Sequence, residues 1–185
     1  MSPNAVPVRS VGELPVTPWR NGLGMTRPVA SASGDEQPDG EQPDWRISIA
    51  TVTDGAAFSS FAGYSRAFTP LSTETITVLQ DGIPLAADAS GTVRFDGAAN
   101  VAARVFGAPA LAVNVMTLAG HRAQLHWSTV TGDYCNNGPG TRAVILAGGS
   151  VTTCDGMVFS APAVIRPGAQ VRCARARLLV IRISV

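Results

Sequence analysis

The chain predicts an all-β protein, a sandwich or barrel, and three observations carry that expectation. Short runs with β character recur at close, regular spacing through most of its 185 residues. Gly-containing turns separate them, consistent with the 19 glycines and 13 prolines, and no long amphipathic helical pattern competes with them. Many short strands punctuated by glycine turns are how sandwiches and barrels are written in sequence.

In chain order, residues 6–16 hold short apolar patches broken by Gly12 and Pro15, as in an edge strand. They lead into Pro18-Trp19-Arg20-Asn21-Gly22-Leu23-Gly24-Met25-Thr26-Arg27, which is rich in hydrogen-bond donors and reads as a shaped loop rather than core. Gly22 and Gly24 permit positive φ or close backbone approach, so main-chain N–H groups beside Asn21, Thr26 and an arginine would suit a carboxylate. The alternative is a plain hairpin with Asn-Gly as its turn. Residues 28–32 read as extended. Residues 33–44 are low complexity, with Glu36-Gln37-Pro38-Asp39 repeated as Glu41-Gln42-Pro43-Asp44, and are expected to form a mobile surface loop.

Trp45-Arg46-Ile47-Ser48-Ile49-Ala50-Thr51-Val52 alternates with period two, placing Trp45, Ile47 and Ile49 on one face and Arg46, Ser48 and Ala50 on the other. The first set suits a core. The second is an ordinary outer surface if it faces solvent, the reading these residues alone favour, and a cavity lining with a cation at its mouth if it faces a barrel interior. Phe58 and Phe61 suggest that the following loop is pinned to the core, and it ends at Arg66.

Further β runs are expected at 75–79, 83–86, 92–95, 99–105 and 111–118. In the last of these Ala112, Asn114 and Met116 share a face, and a buried asparagine there requires partners. The final third predicts strands at 143–146, 150–153, 157–159, 163–166, 171–173 and 178–183, with residues 134–140 as a connecting loop. Val78-Leu79-Gln80-Asp81-Gly82 is faintly echoed by Ile145-Leu146-Ala147-Gly148-Gly149, which hints at two similar β halves.

Composition removes several function classes. All fourteen basic residues are arginine and the formal net charge is +1, so lysine Schiff-base chemistry is excluded and no global field recruits nucleic acid or an anionic membrane. His121 and His126 fall on opposite faces of a strand, which argues against a facial metal triad. Cys135, Cys154 and Cys173 are odd in number and too widely spaced for a Cys-x-x-Cys motif. A reduced cytoplasmic setting is expected, with Cys154 and Cys173 as buried, inert thiols. No phosphate-binding Gly-Lys motif, nucleophile elbow or paired strand carboxylates occur. The C-terminal arginines Arg172, Arg175, Arg177 and Arg182 read as a solvated strand face.

Taken together, Pro18-Trp19-Arg20-Asn21-Gly22-x-Gly24-x-Thr26-Arg27, Trp45-Arg46-x-Ser48-x-Ala50, Gly55-x-x-Phe58-Ser59-x-Phe61-x-Gly63-x-x-Arg66, Phe95-x-Gly97 and Asn114-x-Met116 resemble the HutD/Ves family. The resemblance covers the first two thirds of the chain well. It implies a bicupin, two cupin-like β-barrel halves forming a single domain over residues 1–185, without the usual metal histidines and with no cofactor. It further implies non-catalytic binding of a small carboxylate, with a link to histidine utilisation through an intermediate such as formylglutamate.

Carried over, Trp19, Asn21 and Thr26 would line the site, Gly22 and Gly24 would give backbone approach, Arg46 and Arg66 would pair a carboxylate, and Ser48, Asn114 and Met116 would complete the cavity. The expected partners are that ligand and, at most, a second copy in a homodimer, with neither nucleic acid nor membrane. Two departures stand out. Ala112 occupies a position that is usually acidic, and Ser72-Thr73-Glu74-Thr75 replaces a Gly-rich turn. The alternatives are an isomerase or hydrolase of a small carboxylate, and a structural or interaction module.

Overall fold

In the computed structural model, residues 6–19, 21–22, 24–32, 42–71 and 76–185 are described. Most of the acidic repeat, Arg20, Leu23 and the segment 72–75 lie outside them. The first elements are β1 (Val8–Ser10), a short 3-10 turn (Val11–Glu13), β2 (Thr17–Pro18), β3 (Met25–Ser31), β4 (Trp45–Val52) and β5 (Tyr64–Pro70). Next come β6 (Ile76–Gln80), β7 (Ile83–Pro84), β8 (Val93–Asp96), β9 (Val101–Val105) and β10 (Ala110–Leu118). The last are β11 (Arg122–Cys135), β12 (Thr141–Thr153), β13 (Val158–Ser160), β14 (Ala163–Ile165) and β15 (Gln170–Ser184). The all-β expectation holds. Among the described residues no helix is long and apolar enough to cross a membrane.

The chain forms two compact units, Pro15–Ala123 and Gln124–Ser184 with the N-terminal segment to Leu14. In the first, a six-stranded sheet runs β2-β3-β4-β10-β5-β8, and a three-stranded sheet runs β7-β6-β9. Ala50, Ala112, Phe68 and Phe95 of the larger sheet pack with Val78, Val101, Ala103 and Val105 of the smaller in one apolar core. Full burial of each large side chain there stabilises the unit by about 1.5–3 kcal/mol.

On β4 the solvent-facing reading that its residues alone favour does not hold. Trp45, Ile47 and Ile49 are buried as expected, but so are Ser48 and Ala50 on the opposite face. The face carrying Ala50 is the one that enters the core with Phe68 and Phe95. A central strand, flanked by β3 and β10, is covered on both sides, so alternation distinguishes its faces without saying which is wet.

In the second unit the sheet order is β1-β14-β12-β15-β11, with β13 paired to β12. β1 therefore pairs with β14, Val8 opposite Ile165, rather than leading a strand of the first unit. Its interior is filled by Val144, Leu146, Val151, Val171, Cys173 and Leu178.

Two expectations change here. β12 and β15 are continuous strands where several short ones were expected. The reason lies at Gly148 and Gly149, where the register slips and Gly149, at φ +74°, comes so close to the Arg175 carbonyl that a Cβ would sit 2.4 Å from its oxygen. The glycines bulge the strand instead of ending it. β11 is not expected from the sequence, and its last residues, Tyr134 and Cys135, fall in the stretch expected as a connecting loop, because polar residues interrupt its alternation and only Leu125 is fully buried. Cys154 also differs: it is exposed, as is Cys135, whereas Cys173 is buried as expected.

Candidate functional site

Antiparallel register sets the site. Met116 on β10 lies opposite Arg46 on β4 and Arg66 on β5, and Asn114 lies opposite Ser48 and Phe68. Directly opposed residues share a face, so Arg46, Met116 and Arg66 form one row and Ser48, Asn114 and Phe68 the next. The face that carries Phe68 and Ala50 into the core thus rises to a rim of two guanidinium groups.

Above it lies a cavity of about 200 Å³. Trp19, Thr26, Arg46, Arg66 and Asn114 line it, as do Ala50, Phe58, Ser59, Phe61 and Phe68. Thr17 and Pro18 complete its wall.

Arg66 is 8% exposed. Its Nε and Nη2 donate to Asn114 Oδ1 at 3.2 and 3.1 Å, and its Nη1 donates to the Ser59 carbonyl at 3.2 Å. Its guanidinium carbon lies 5.0 and 5.1 Å from the ring centroids of Phe95 and Phe58. Burial pushes its pKa down to about 10, and the positive charge of Arg46 adds to the shift. The group is still a cation at neutral pH, and among the described residues no carboxylate lies within ion-pair distance of it.

Arg46 sits 4.4 Å above the Phe61 ring and donates from Nε to Met116 Sδ at 3.2 Å. Phe61 in turn is held by backbone bonds through Gly97: its N–H donates to the Gly97 carbonyl at 2.7 Å, and Gly97 N–H donates to Tyr64 at 2.7 Å. The Ser59 hydroxyl, on the cavity wall, is buried with no hydrogen-bond partner among the described residues. An orphaned buried hydroxyl carries a desolvation cost that a ligand contact would remove.

The Trp19 loop resolves its two readings jointly. Thr17 pairs with Thr26 and Pro18 with Met25, so β2 and β3 form a hairpin and Thr26 lies in strand β3. Trp19 N–H donates to the Gly24 carbonyl at 2.9 Å and Gly22 N–H to the Trp19 carbonyl at 2.9 Å. Those amides are committed to the turn rather than offered to an anion. Asn21 is exposed and donates to the Ala57 carbonyl at 2.7 Å, tying the hairpin down. Gly24 lets the indole lie against the backbone, where a Cβ would meet it at 2.8 Å. The indole then donates to Thr26 Oγ1 at 2.9 Å and meets Phe58 edge-on at 5.5 Å.

Of the residues picked out in the sequence, Trp19, Thr26, Arg46, Arg66 and Asn114 thus meet around one cavity. Asn21, Gly22, Gly24, Ser48 and Met116 are not among its lining; they brace it, Ser48 through its hydroxyl to the Asn114 carbonyl at 3.4 Å. Ala50, Phe58, Ser59, Phe61 and Phe68 were not selected as site residues. Their signal was present: Ala50 and Phe68 stand at even spacing from Arg46 and Arg66, and the others lie in the Phe58-Ser59-x-Phe61 motif. His121 is half-buried and His126 exposed, and no cluster of metal-ligating side chains occurs among the described residues.

Residues 12–172 match the family model described as HutD. Over 120 residues the chain is 35% identical to a Pseudomonas putida protein described as an uncharacterized 21.2 kDa protein in the hutC 3′ region. That match spans 62% of this chain and 60% of the relative's length. A conserved protein of unknown function from Pseudomonas aeruginosa PAO1 superposes with a TM-score of 0.73 at 22% identity, covering 96% of this chain and 98% of that one. HutD from Pseudomonas fluorescens SBW25 superposes with a TM-score of 0.67 at 24% identity, covering 97% and 98%. The fold shared with such neighbours is all-β and cupin-like. With its family model matched from residue 12 to residue 172, this chain belongs to the HutD family.

Proposed function

We propose that the protein binds a small carboxylate in the Arg46–Arg66 cavity without turning it over, and that it senses in the cytoplasm an intermediate of histidine utilisation such as formylglutamate. The observation that carries this reading is Arg66. A nine-tenths-buried cation with amide, carbonyl and ring contacts, and no carboxylate partner among the described residues, is an unbalanced charge. The positive charge of Arg46 nearby further disfavours its charged form. An isolated buried charge is costly, and an anion entering the cavity would offset it.

The cavity volume, about 200 Å³, suits a small organic acid rather than a drug-sized ligand of roughly 300–1,000 Å³ pockets. Its aromatic wall would cover the ligand's apolar part, and Ser59 would meet an uncharged polar atom. The link to histidine utilisation rests on membership of the HutD family and on the P. putida relative described by its place beside hutC.

Calorimetric titration of the protein with urocanate, formiminoglutamate, formylglutamate and glutamate, with product analysis of each mixture, tests the proposal. One acid is expected to bind saturably and be recovered unchanged, with binding lost in Arg46→Ala. Retained affinity in that variant, or turnover of the acid, refutes it.

A further inference from the structure

A second surface lies on the unit built from Gln124–Ser184 and the N-terminal segment. That unit holds seven arginines against three carboxylates, whereas residues 15–123 hold seven against ten. The near-neutral total conceals a basic half, and a charge asymmetry of this kind is a footprint of partner binding.

The register shows how part of that charge is displayed. Val158 of β13 lies opposite Thr152 of β12, which lies opposite Arg172 of β15. In the next row Ser160, Ser150 and Ala174 are aligned, and beyond the bulge Gly148 pairs with Arg177. Neighbours of the opposite parity, Val151, Val171 and Cys173, fill the interior, so these rows face outward.

The result is a floor of small side chains at Thr152, Ser150, Ala174 and Gly148. A wall of Arg172, Arg175 and Arg177 stands on one side. On the other is an apolar rim, Met157 at 56% and Val158 at 67% exposure. A depression of about 560 Å³, lined by Thr152, Arg172, Gln170 and Cys154 among others, opens at one end.

The arginines are presented rather than neutralised. Arg172 meets Asp133 at 3.5 Å, but both side chains are more than three-quarters exposed, at 77% and 89%, so the pair is weak. Among the described residues no carboxylate lies within ion-pair distance of Arg175 or Arg177. Arg177 is stacked 4.0 Å over the Trp127 ring, a contact that fixes its guanidinium there. Arg175 adopts φ +49°, the left-handed conformation of the bulge opposite Gly149, and its side chain is exposed.

We propose that this face docks an extended acidic segment of a partner protein, its carboxylates on Arg172, Arg175 and Arg177 and an apolar side chain against Met157 and Val158. The small floor leaves room for an extended backbone. The guanidinium forks match carboxylates. A nucleic acid fits less well, because the exposed apolar residues of the rim, Met157 and Val158, are aliphatic and Trp127 is already stacked by Arg177.

The test is fluorescence anisotropy of the full chain with three labelled probes: a peptide of alternating Glu and Leu, its Lys and Leu counterpart, and a single-stranded oligothymidylate. The acidic peptide alone is expected to bind saturably, weakening severalfold between low and physiological salt, where the Debye length shortens to about 8 Å. Arg172→Ser, Arg175→Gly and Arg177→Ser together should weaken binding at least about tenfold, as expected when complementary charge is removed. Met157→Ser with Val158→Ser should weaken it by a salt-independent factor. Thermal melting checks that the variants fold, and Arg175→Gly is chosen because it relaxes the backbone. No binding of the acidic peptide, affinity indifferent to salt, affinity unchanged in the arginine variant, or tighter binding of the basic peptide or oligonucleotide would each overturn the proposal.

Discussion

Arg66 and Asn114 form one buried unit, with Nε and Nη2 of the guanidinium both donating to the same amide oxygen at 3.2 and 3.1 Å. Because arginine only donates, the amide oxygen must face it, which directs the Asn114 NH₂ away from Arg66. The pair holds a cation in place without neutralising it.

Asn114→Asp places a carboxylate where that amide oxygen sits. The internal ion pair should keep or raise stability to urea while lowering carboxylate affinity at least about tenfold, since the buried charge is already answered. Calorimetry and urea unfolding of the variant check both halves. Unchanged affinity would show that Arg66 is not what the ligand meets.

Replacing the pair altogether, Arg66→Met with Asn114→Leu, removes a buried charge and its polar partner together. Such exchanges for apolar side chains of similar volume are often neutral or stabilising by about 1–4 kcal/mol. The variant is expected to gain stability and lose binding, a trade typical of functional sites. Unfolding midpoints combined with titration provide the measurement.

The depressed pKa of Arg66 has a definite sign. Burial and Arg46 bring it to about 10, below the value the unfolded chain would have, so above pH 10 the unfolded state holds more protons and stability relative to this group rises with pH. Below that window both states are charged and its contribution is flat. Ligand affinity runs the other way, because the anion requires the cation: it should be level from about pH 6 to 8.5 and fall as pH passes about 10. Titrations across that range test the expectation.

Ser59→Ala removes a hydroxyl that is buried without a partner among the described residues. Stability should stay level or rise by up to about 1 kcal/mol, since an unsatisfied group is lost. Affinity should fall severalfold if the hydroxyl meets the ligand. A variant equal to the parent in calorimetry would assign Ser59 to packing alone.

Gly97→Ala tests how Phe61 is held. A Cβ there would lie 2.3 Å from the Phe61 carbonyl oxygen and 2.8 Å from that of Tyr64. Backbone on both sides must then move, at a cost of about 1–3 kcal/mol. Because Phe61 carries the Arg46 guanidinium, affinity should fall along with the melting temperature.

The residues that build the site were legible to different degrees. Arg46, Asn114 and Arg66 stand out as polar groups on or beside β runs, and period-two alternation correctly grouped Ala112, Asn114 and Met116. Trp19 and Thr26 were legible as a loop motif, with an anion-binding loop and a plain hairpin left open as its two readings. Ser59, Phe58 and Phe61 were less so, because a loop has no periodicity to say which side chains turn inward. β11 was invisible for a related reason: an exposed strand with one fully buried residue writes no apolar pattern.

By itself, the sequence determined that the chain is all-β, where most turns fall, and which residues share a face of β4 and β10, since alternation and turn chemistry are local properties. The tertiary structure decided the rest. Strand pairing brought Arg46 and Arg66 to either side of Met116 from positions twenty residues apart, and burial on both sides of β4 turned an apparent outer face into a cavity wall. The close approach at Gly149 joined two expected strands into one. Register, two-sided burial and close backbone approach each depend on a distant partner, and no local pattern encodes the partner.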